Sequence, residues 1–137
     1  MDRAILTAQA DVVRAFAQLA PDPWEQIVVN LELEEDGTGY RTDCLAFAVV
    51  LDGGGYVDRE FDLDRSGRDT VYALRTAMRA RGEAWHSFDL LIEADGHYDL
   101  TFSYDPPKRL NGILDQQSYH RFDHYAAEFA ARRPGSR

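Results

Sequence analysis

Cysteine is almost absent from this 137-residue chain, whose single thiol is Cys44. One thiol cannot form an intramolecular disulfide, and it cannot supply a zinc site built from several thiolates. No segment approaches the roughly 20 apolar residues that span a bilayer, and residues 1–6 lack the apolar stretch of a signal peptide. These absences predict a cytoplasmic protein with no membrane partner, although a protein exported without a signal peptide would have the same features.

Basic residues are in deficit, because 15 Lys and Arg stand against 24 Asp and Glu and leave a formal net charge of −9. That charge argues against nucleic acid and anionic membranes as partners, since both would repel the chain. It is compatible with a basic protein partner or simply with solubility. With 45% hydrophobic residues, the chain is rich enough in apolar side chains to bury a core, and its length predicts one domain.

Hydrophobic periodicity predicts three helices and five strands in the order α-β-β-β-α-β-β-α. Helical spacing covers residues 4–19, 66–82 and 118–132, and alternation marks strands at 24–34, 43–51, 56–64, 85–94 and 97–105. Trp24 and Trp85 each begin a strand and are expected to pack in the core. We expect an α+β domain of two layers at residues 1–132, in which the helices cover one face of a five-stranded antiparallel sheet, followed by a flexible tail at residues 133–137.

The strand predicted at residues 56–64 separates its side chains by charge. Its even positions from 58 to 64 are all acidic, and its odd positions are apolar except Arg59, which either pairs with a carboxylate at the sheet edge or marks a bulge. The same division recurs near residues 30, 90 and 100. The uncovered sheet face is therefore predicted to carry no Lys or Arg and to carry Glu32, Glu34, Asp58, Glu60, Asp62, Asp64, Asp89, Glu93, Asp99 and Asp105.

Small apolar residues are expected to cross the middle of this acidic face. In this interpretation Cys44, Ala46 and Ala48 form a flat strip with Val28 and Leu91 nearby, and the large residues of the same strand face the helices. A face of this kind is either an ordinary solvated sheet surface or the apolar centre and charged rim of an interface. A field of one sign also speeds the capture of a partner of opposite charge.

Three patterns that could indicate chemistry are incomplete. His120 and His124 lie four apart on a predicted helix, but the zincin glutamate and a third ligand are missing. Residues 62–67 open like a calcium loop, yet the twelfth position of that loop is Ala73 and not glutamate. Glycines 53–55 precede a strand, not a helix N-terminus. With Cys44 predicted in mid-strand and no base beside it, we predict a protein that is not an enzyme and has no catalytic residue, cofactor or metal.

Several short motifs resemble a known family. They are Ala-Pro-Asp-Pro-Trp at residues 20–24 after the first helix, Leu74-Arg75, Met78, Trp-His-Ser-Phe-Asp-Leu-Leu-Ile at residues 85–92, Asp95-Gly96, Tyr98 and Tyr104-Asp105. Together with the order of elements, this pattern looks like the YezG-like immunity proteins of bacterial polymorphic toxin systems, over roughly residues 4–130. The resemblance implies a cytoplasmic antitoxin that binds the toxic domain of its cognate toxin, often a nuclease, by stoichiometric complex formation.

The acidic face is the predicted contact surface for a basic toxin domain. Its candidate contact residues are Glu32, Glu34, Asp58, Glu60, Asp62, Asp64, Asp89, Glu93 and Asp99, with Tyr40, Tyr56 and Leu91 as aromatic or apolar anchors. When free, the protein is expected to be a monomer or a weak dimer. Two alternatives stay open at this point: a small enzyme with an unrecognised site, which would need a cleft near His86 or His97, and a self-associating regulatory module.

Overall fold

The computed structural model describes residues 2–113 and 125–132. Within these ranges the order α-β-β-β-α-β-β-α and the α+β class are those predicted from the sequence. The elements are α1 (Arg3–Leu19), β1 (Trp24–Glu35), β2 (Tyr40–Asp52), β3 (Gly55–Phe61), α2 (Arg65–Arg79), β4 (Ser87–Glu93), β5 (Tyr98–Ser103), a 3-10 turn (Arg109–Asn111) and α3 (Tyr125–Arg132). No helix in these ranges is long and apolar enough to cross a membrane. His120, His124, the first part of the predicted third helix and the predicted tail lie outside the described residues.

All five strands form one antiparallel sheet in the order β3-β2-β1-β4-β5. Gly53 and Gly54 form the two-residue turn between β2 and β3 with φ of 63° and 88°, values that glycine adopts without steric cost. The turn between β4 and β5 is one residue longer than predicted, because the N–H of Glu93 donates to the carbonyl of His97 at 2.8 Å. The long connection through α2 brings β4 back to pair with β1 at the centre of the sheet.

The inner face of the sheet is the face covered by α1 and α2. From β1 it receives Ile27, Val29, Leu31 and Leu33, all of them buried. Phe16 of α1 packs against this face in edge-to-face contacts with one ring on β3 and one on β4, at centroid distances of 6.3 and 6.4 Å. The apolar inner side chains of the strands and the apolar stripe of α1 therefore pack together in one core, as the periodicity predicts.

The orientation predicted for β2 was wrong. Val29 lies opposite Ala46 and Ile27 opposite Ala48, and directly opposed residues of an antiparallel pair share a face. Cys44 and the two alanines therefore face the helices, and the large residues of β2 face the other way. Both sides of β2 are apolar, so alternation within this strand could not select the buried side. The pairing with β1 selects it, and the small side chains leave room for the helices to pack closely.

The third helix lies on the outer face of the sheet, opposite α1 and α2. Tyr125 of α3 contacts the ring of Phe47 at 5.9 Å, and Phe129 contacts Tyr56 at 5.1 Å. The prediction that all three helices share one face was therefore wrong for α3. Outward-facing Phe47 is only 7% exposed, and covering such a ring removes apolar surface from water. The large residues of β2 thus explain why a helix packs on this side.

Trp85 is fully buried, as predicted, and a buried arginine holds the chain beside it. Arg75 on α2 donates from Nε to the carbonyl oxygen of Trp85 at 2.6 Å and from a terminal nitrogen to Glu35 at 3.1 Å. Its guanidinium also lies 5.9 Å from the centroids of the Trp85 and Tyr40 rings. These contacts compensate a charge that is only 2% exposed. Trp24 is half-buried and packs against the same core.

Candidate functional site

The outer face of the sheet carries most of the predicted contact residues. Strand pairing defines its membership, because opposed residues share a face. The outward positions are Gln26, Val28, Asn30, Glu32 and Glu34 on β1; Arg41, Asp43, Leu45, Phe47, Val49 and Leu51 on β2; Tyr56, Asp58 and Glu60 on β3; Ser87, Asp89, Leu91 and Glu93 on β4; and Asp99, Thr101 and Ser103 on β5. The predicted acidic outer face is thus confirmed in part. It divides into three regions, which differ in how exposed their predicted contact residues are.

The first region is closed by the 3-10 turn, which packs over the paired ends of β1 and β2. Arg109 is 8% exposed and donates to the carboxylate of Asp43 and to the side-chain oxygen of Asn30, the latter at 2.7 Å. The same terminal nitrogen that donates to Asn30 lies 3.6 Å from a carboxylate oxygen of Glu32. Glu32 also accepts the backbone N–H groups of Lys108 and Leu110 at 3.2 and 3.0 Å, so this carboxylate is buried and holds the turn in place.

Two arginines therefore stand among the acids, and the prediction of a face without Lys or Arg was wrong. Arg41 on β2 pairs with Glu34 at 2.6 Å and also reaches the carbonyl of Leu110 at 3.1 Å. The sequence predicts that this strand begins at residue 43, so Arg41 lies outside the predicted strand. Arg109 comes from the loop after β5. Alternation describes only residues within strands, so neither arginine had a signal in that pattern. Glu32 is not accessible to a partner, and Glu34 is already paired.

The second region lies beneath α3. Asp58 accepts the backbone N–H of Ala126 at 2.9 Å, and a carboxylate at the start of a helix also interacts favourably with the helix dipole. Tyr56 contacts Phe129, so this predicted anchor packs against the protein's own helix. Glu60 stays exposed at the rim of a groove of about 680 Å³ between β3 and α3. Of the predicted contacts on β3, Glu60 is the exposed one.

Two predicted contacts lie beyond β3, which ends at Phe61. Asp64 accepts the N–H of Gly67 at 2.7 Å and caps the N-terminus of α2, so its predicted place on the sheet face was wrong. Asp62 accepts the adjacent N–H of Leu63 at 2.7 Å and remains exposed. Aspartate is a preferred helix cap, and this preference ends the strand earlier than alternation alone predicts.

Tyr40 lies on the inner side of the sheet, away from the other predicted anchors. Its ring stacks on Tyr72 of α2 at 5.2 Å, and its hydroxyl forms a hydrogen bond with Thr76 at 2.9 Å. Tyr40 therefore supports the packing of α2 and is separated from the acidic face by the sheet itself. Its position directly after the turn that ends at Gly39 was no indication of which face it would take.

Arg59, which interrupts the alternation of β3, pairs with a carboxylate at the sheet edge. It donates to Asp52 at 2.6 Å, and both residues lie on the inner side of the sheet, with Asp52 directly before the hairpin turn. The pairing of β2 with β3 contains no register shift. Of the two interpretations that the sequence left open, the structure confirms the ion pair.

The third region, which we call the open acidic surface, comprises Val28, Asp89, Leu91, Glu93 and Asp99. Asp89 and Asp99 are exposed, and Leu91 is half-buried between Val28 on one side and Asp99 on the other. Asp89 accepts a hydrogen bond from Asn30 at 2.9 Å, and Glu93 accepts one from Gln26 at 3.1 Å. These two hydrogen bonds orient the carboxylates along the surface of the sheet toward β1. None of the outward positions of β1, β4 and β5 is Lys or Arg.

Among residues 2–113 and 125–132, no group of three or more His, Cys, Asp and Glu side chains is placed to hold a metal ion. Cys44 packs against the core, and burial raises the pKa of its thiol well above the usual range, with the charges of Asp62 and Asp43 adding to the effect. The thiolate needed for nucleophilic attack is thus disfavoured at neutral pH.

No protein-family model matches this sequence, and neither does any curated protein.

Tyr125 links the stability of the outer face to pH. Burial, followed by the charges of Asp58, Asp89 and Glu128, raises the pKa of Tyr125 from its ordinary value of 10 to about 12. The folded state thus holds this proton more tightly than the unfolded state does. We expect the resulting stabilisation to be complete below pH 10 and to be lost as the pH rises from 10 through 12.

Urea unfolding at several pH values between 9 and 12 measures this loss. The Tyr125→Phe variant has no phenol to ionise there and should lose less stability over the interval than the wild-type protein. Tyr104→Phe is the matched control, because Tyr104 is 53% exposed. Equal pH dependence of the Tyr125→Phe variant and the wild-type protein would contradict the expectation.

Proposed function

We propose that this chain is an immunity protein that binds a basic toxin domain in the bacterial cytoplasm and neutralises it by forming a stoichiometric complex. The observation that carries the proposal is the open acidic surface, where Asp89, Glu93 and Asp99 surround Leu91 and no Lys or Arg occupies an outward position of the three strands involved. An apolar centre with a charged rim is typical of protein interfaces. The motif resemblance described above points to the same function.

The proposed mechanism is steric and electrostatic, without turnover. A toxin that acts on nucleic acid needs a basic surface to hold phosphates, and a carboxylate surface of opposite charge competes for it. The net charge of −9 adds a long-range attraction that speeds encounter with a basic protein. Leu91 and Val28 would then lose contact with water at the centre of the complex, while the three carboxylates pair with Lys or Arg of the toxin.

Co-expression with the product of the adjacent gene tests this proposal. We expect that product alone to arrest growth, and we expect this chain to restore growth and to co-purify with it at a one-to-one ratio. A Trp85→Asp variant, which places a charge at a fully buried position, serves as the control for an unfolded chain and should not protect. Normal growth in the absence of this protein, or the lack of a complex, would count against the proposal.

A further inference from the structure

β5 is an edge strand that lacks several of the features that usually prevent further pairing. Its six residues, Tyr98–Ser103, pair with β4 in a continuous register with no bulge. The strand contains no Lys and no Pro, the residues that natural edges commonly use to discourage pairing with another chain. At the spacing of an antiparallel strand, six residues offer an edge about 20 Å long.

The hydrogen bond that closes the turn before β5 shows which backbone N–H and C=O groups of the strand point away from β4. The N–H of Glu93 donates to the carbonyl of His97, and in an antiparallel pair every second residue bonds to the same neighbour. Asp99 and Thr101 therefore bond to β4, and the N–H and C=O groups of the even residues 98, 100 and 102 point away from the sheet. Within residues 2–113 and 125–132, no strand lies on that side of β5.

The side chains along β5 define what an added strand would meet. Tyr98, Leu100 and Phe102 face the core and are each half-buried at its margin. Asp99 and Thr101 are exposed on the outer face, where Asp99 belongs to the open acidic surface. A strand added here would have apolar neighbours on the inner face and a carboxylate on the outer face. The other edge strand differs, since α3 packs against β3.

We infer that β5 accepts an extended segment of the basic partner as a sixth strand of the sheet, and that this segment alternates apolar residues with Lys or Arg. The inference deepens the proposed function and rests on it. Charge complementarity selects the occupant, because the outward side chains of the added strand lie beside Asp99. The β5 strand of a second copy contains no Lys or Arg and so offers no cation to pair with Asp99. Backbone hydrogen bonds would supply affinity, and alternation would supply register and specificity.

Residue-resolved amide hydrogen exchange on the full chain tests the inference. In the free protein the amides of Tyr98, Leu100 and Phe102 should exchange fast, since they point away from β4. In complex with the adjacent-gene product we expect these three outward amides to slow on the order of 100-fold, while the amides of Asp99 and Thr101, already bonded to β4, change much less. A complex in which all three outward amides still exchange fast would overturn the inference and leave the proposed function standing.

If the adjacent-gene product does not bind, a peptide probe distinguishes a failure of the proposed function from a failure of the inference about β5. We would titrate an eight-residue peptide that alternates lysine and valine, with a block-ordered peptide of the same composition as the matched control. Selective slowing of the outward amides by the alternating peptide, reversed in an Asp99→Lys variant, supports the inference. No slowing by either peptide overturns it. Slowing in the protein alone as its concentration rises identifies a second copy as the occupant and also overturns it.

Discussion

Replacing Asp89 and Asp99 together by lysine is expected to weaken the complex with the adjacent-gene product by about 100-fold. Both carboxylates are exposed and flank Leu91 on the open acidic surface. Each reversal replaces an attraction to the partner with a repulsion, and we expect this to cost about 1.4 kcal/mol of binding free energy at a partly hydrated rim. Since about 1.4 kcal/mol corresponds to a tenfold change in affinity, two reversals give about 100-fold. Most of the loss should appear in the association rate, because rim charges act mainly on encounter.

The matched control is the double variant Asp69→Lys and Glu83→Lys. These two acids are exposed on and just after α2, away from the outer face, and the replacement changes net charge by the same amount. Binding measured by surface plasmon resonance at 50 and 300 mM salt should separate the two variants, since screening affects the wild-type complex most. Equal losses in both variants would show that net charge alone, and not this surface, attracts the partner.

Replacing Arg109 by methionine is expected to lower the free energy of unfolding by about 3 kcal/mol. Its guanidinium is buried against Glu32, Asp43 and Asn30, and Glu32 is itself buried beneath the 3-10 turn, where it accepts two backbone N–H groups. Breaking a buried pair from one side leaves a carboxylate without its countercharge, which costs far more than losing an exposed pair. Urea denaturation at pH 7 measures the difference.

Arg41→Met is the matched control, because Arg41 makes a single ion pair with Glu34 and its side chain is 48% exposed. It should cost less than about 1 kcal/mol. Adding Glu32→Gln to Arg109→Met should recover part of the stability, since an amide is easier to bury than an unpaired carboxylate. Equal costs for Arg41→Met and Arg109→Met would refute the structural role assigned to the buried arginine.

The candidate site was predictable where one strand face was polar and the other apolar. On β4, the alternation of Phe88, Leu90 and Ile92 with Asp89 and Glu93 places the two acids outward, and the structure agrees. The same reasoning failed on β2, because both sides of this strand are apolar and the pattern does not indicate which side faces the helices. It also failed for Asp64, because helix capping competes with strand alternation and ends the strand.

Contacts that join distant parts of the chain left no local signal. Arg109 meets Asp43 across 66 positions of sequence and Asn30 across 79, and no periodicity connects residues so far apart. The position of α3 depends on the rings of Phe47 and Tyr56, which face outward only in the register that β1, β2 and β3 adopt. These contacts are the reason that Glu32 and Asp58 support the fold instead of facing a partner.

The amino-acid sequence by itself determined the number, order and type of the elements and the acidic character of one side of β3, β4 and β5. It could do so because helical and strand periodicities, turn glycines and charge alternation act over a few residues. Only the tertiary structure decided which of the acids remain accessible, since burial depends on what a distant segment places over each strand. The end of β1 and β2 is closed by the turn around Arg109 and the β3 side by α3, so the exposed acids Asp89 and Asp99 lie beside Leu91 on the β4–β5 side of the face.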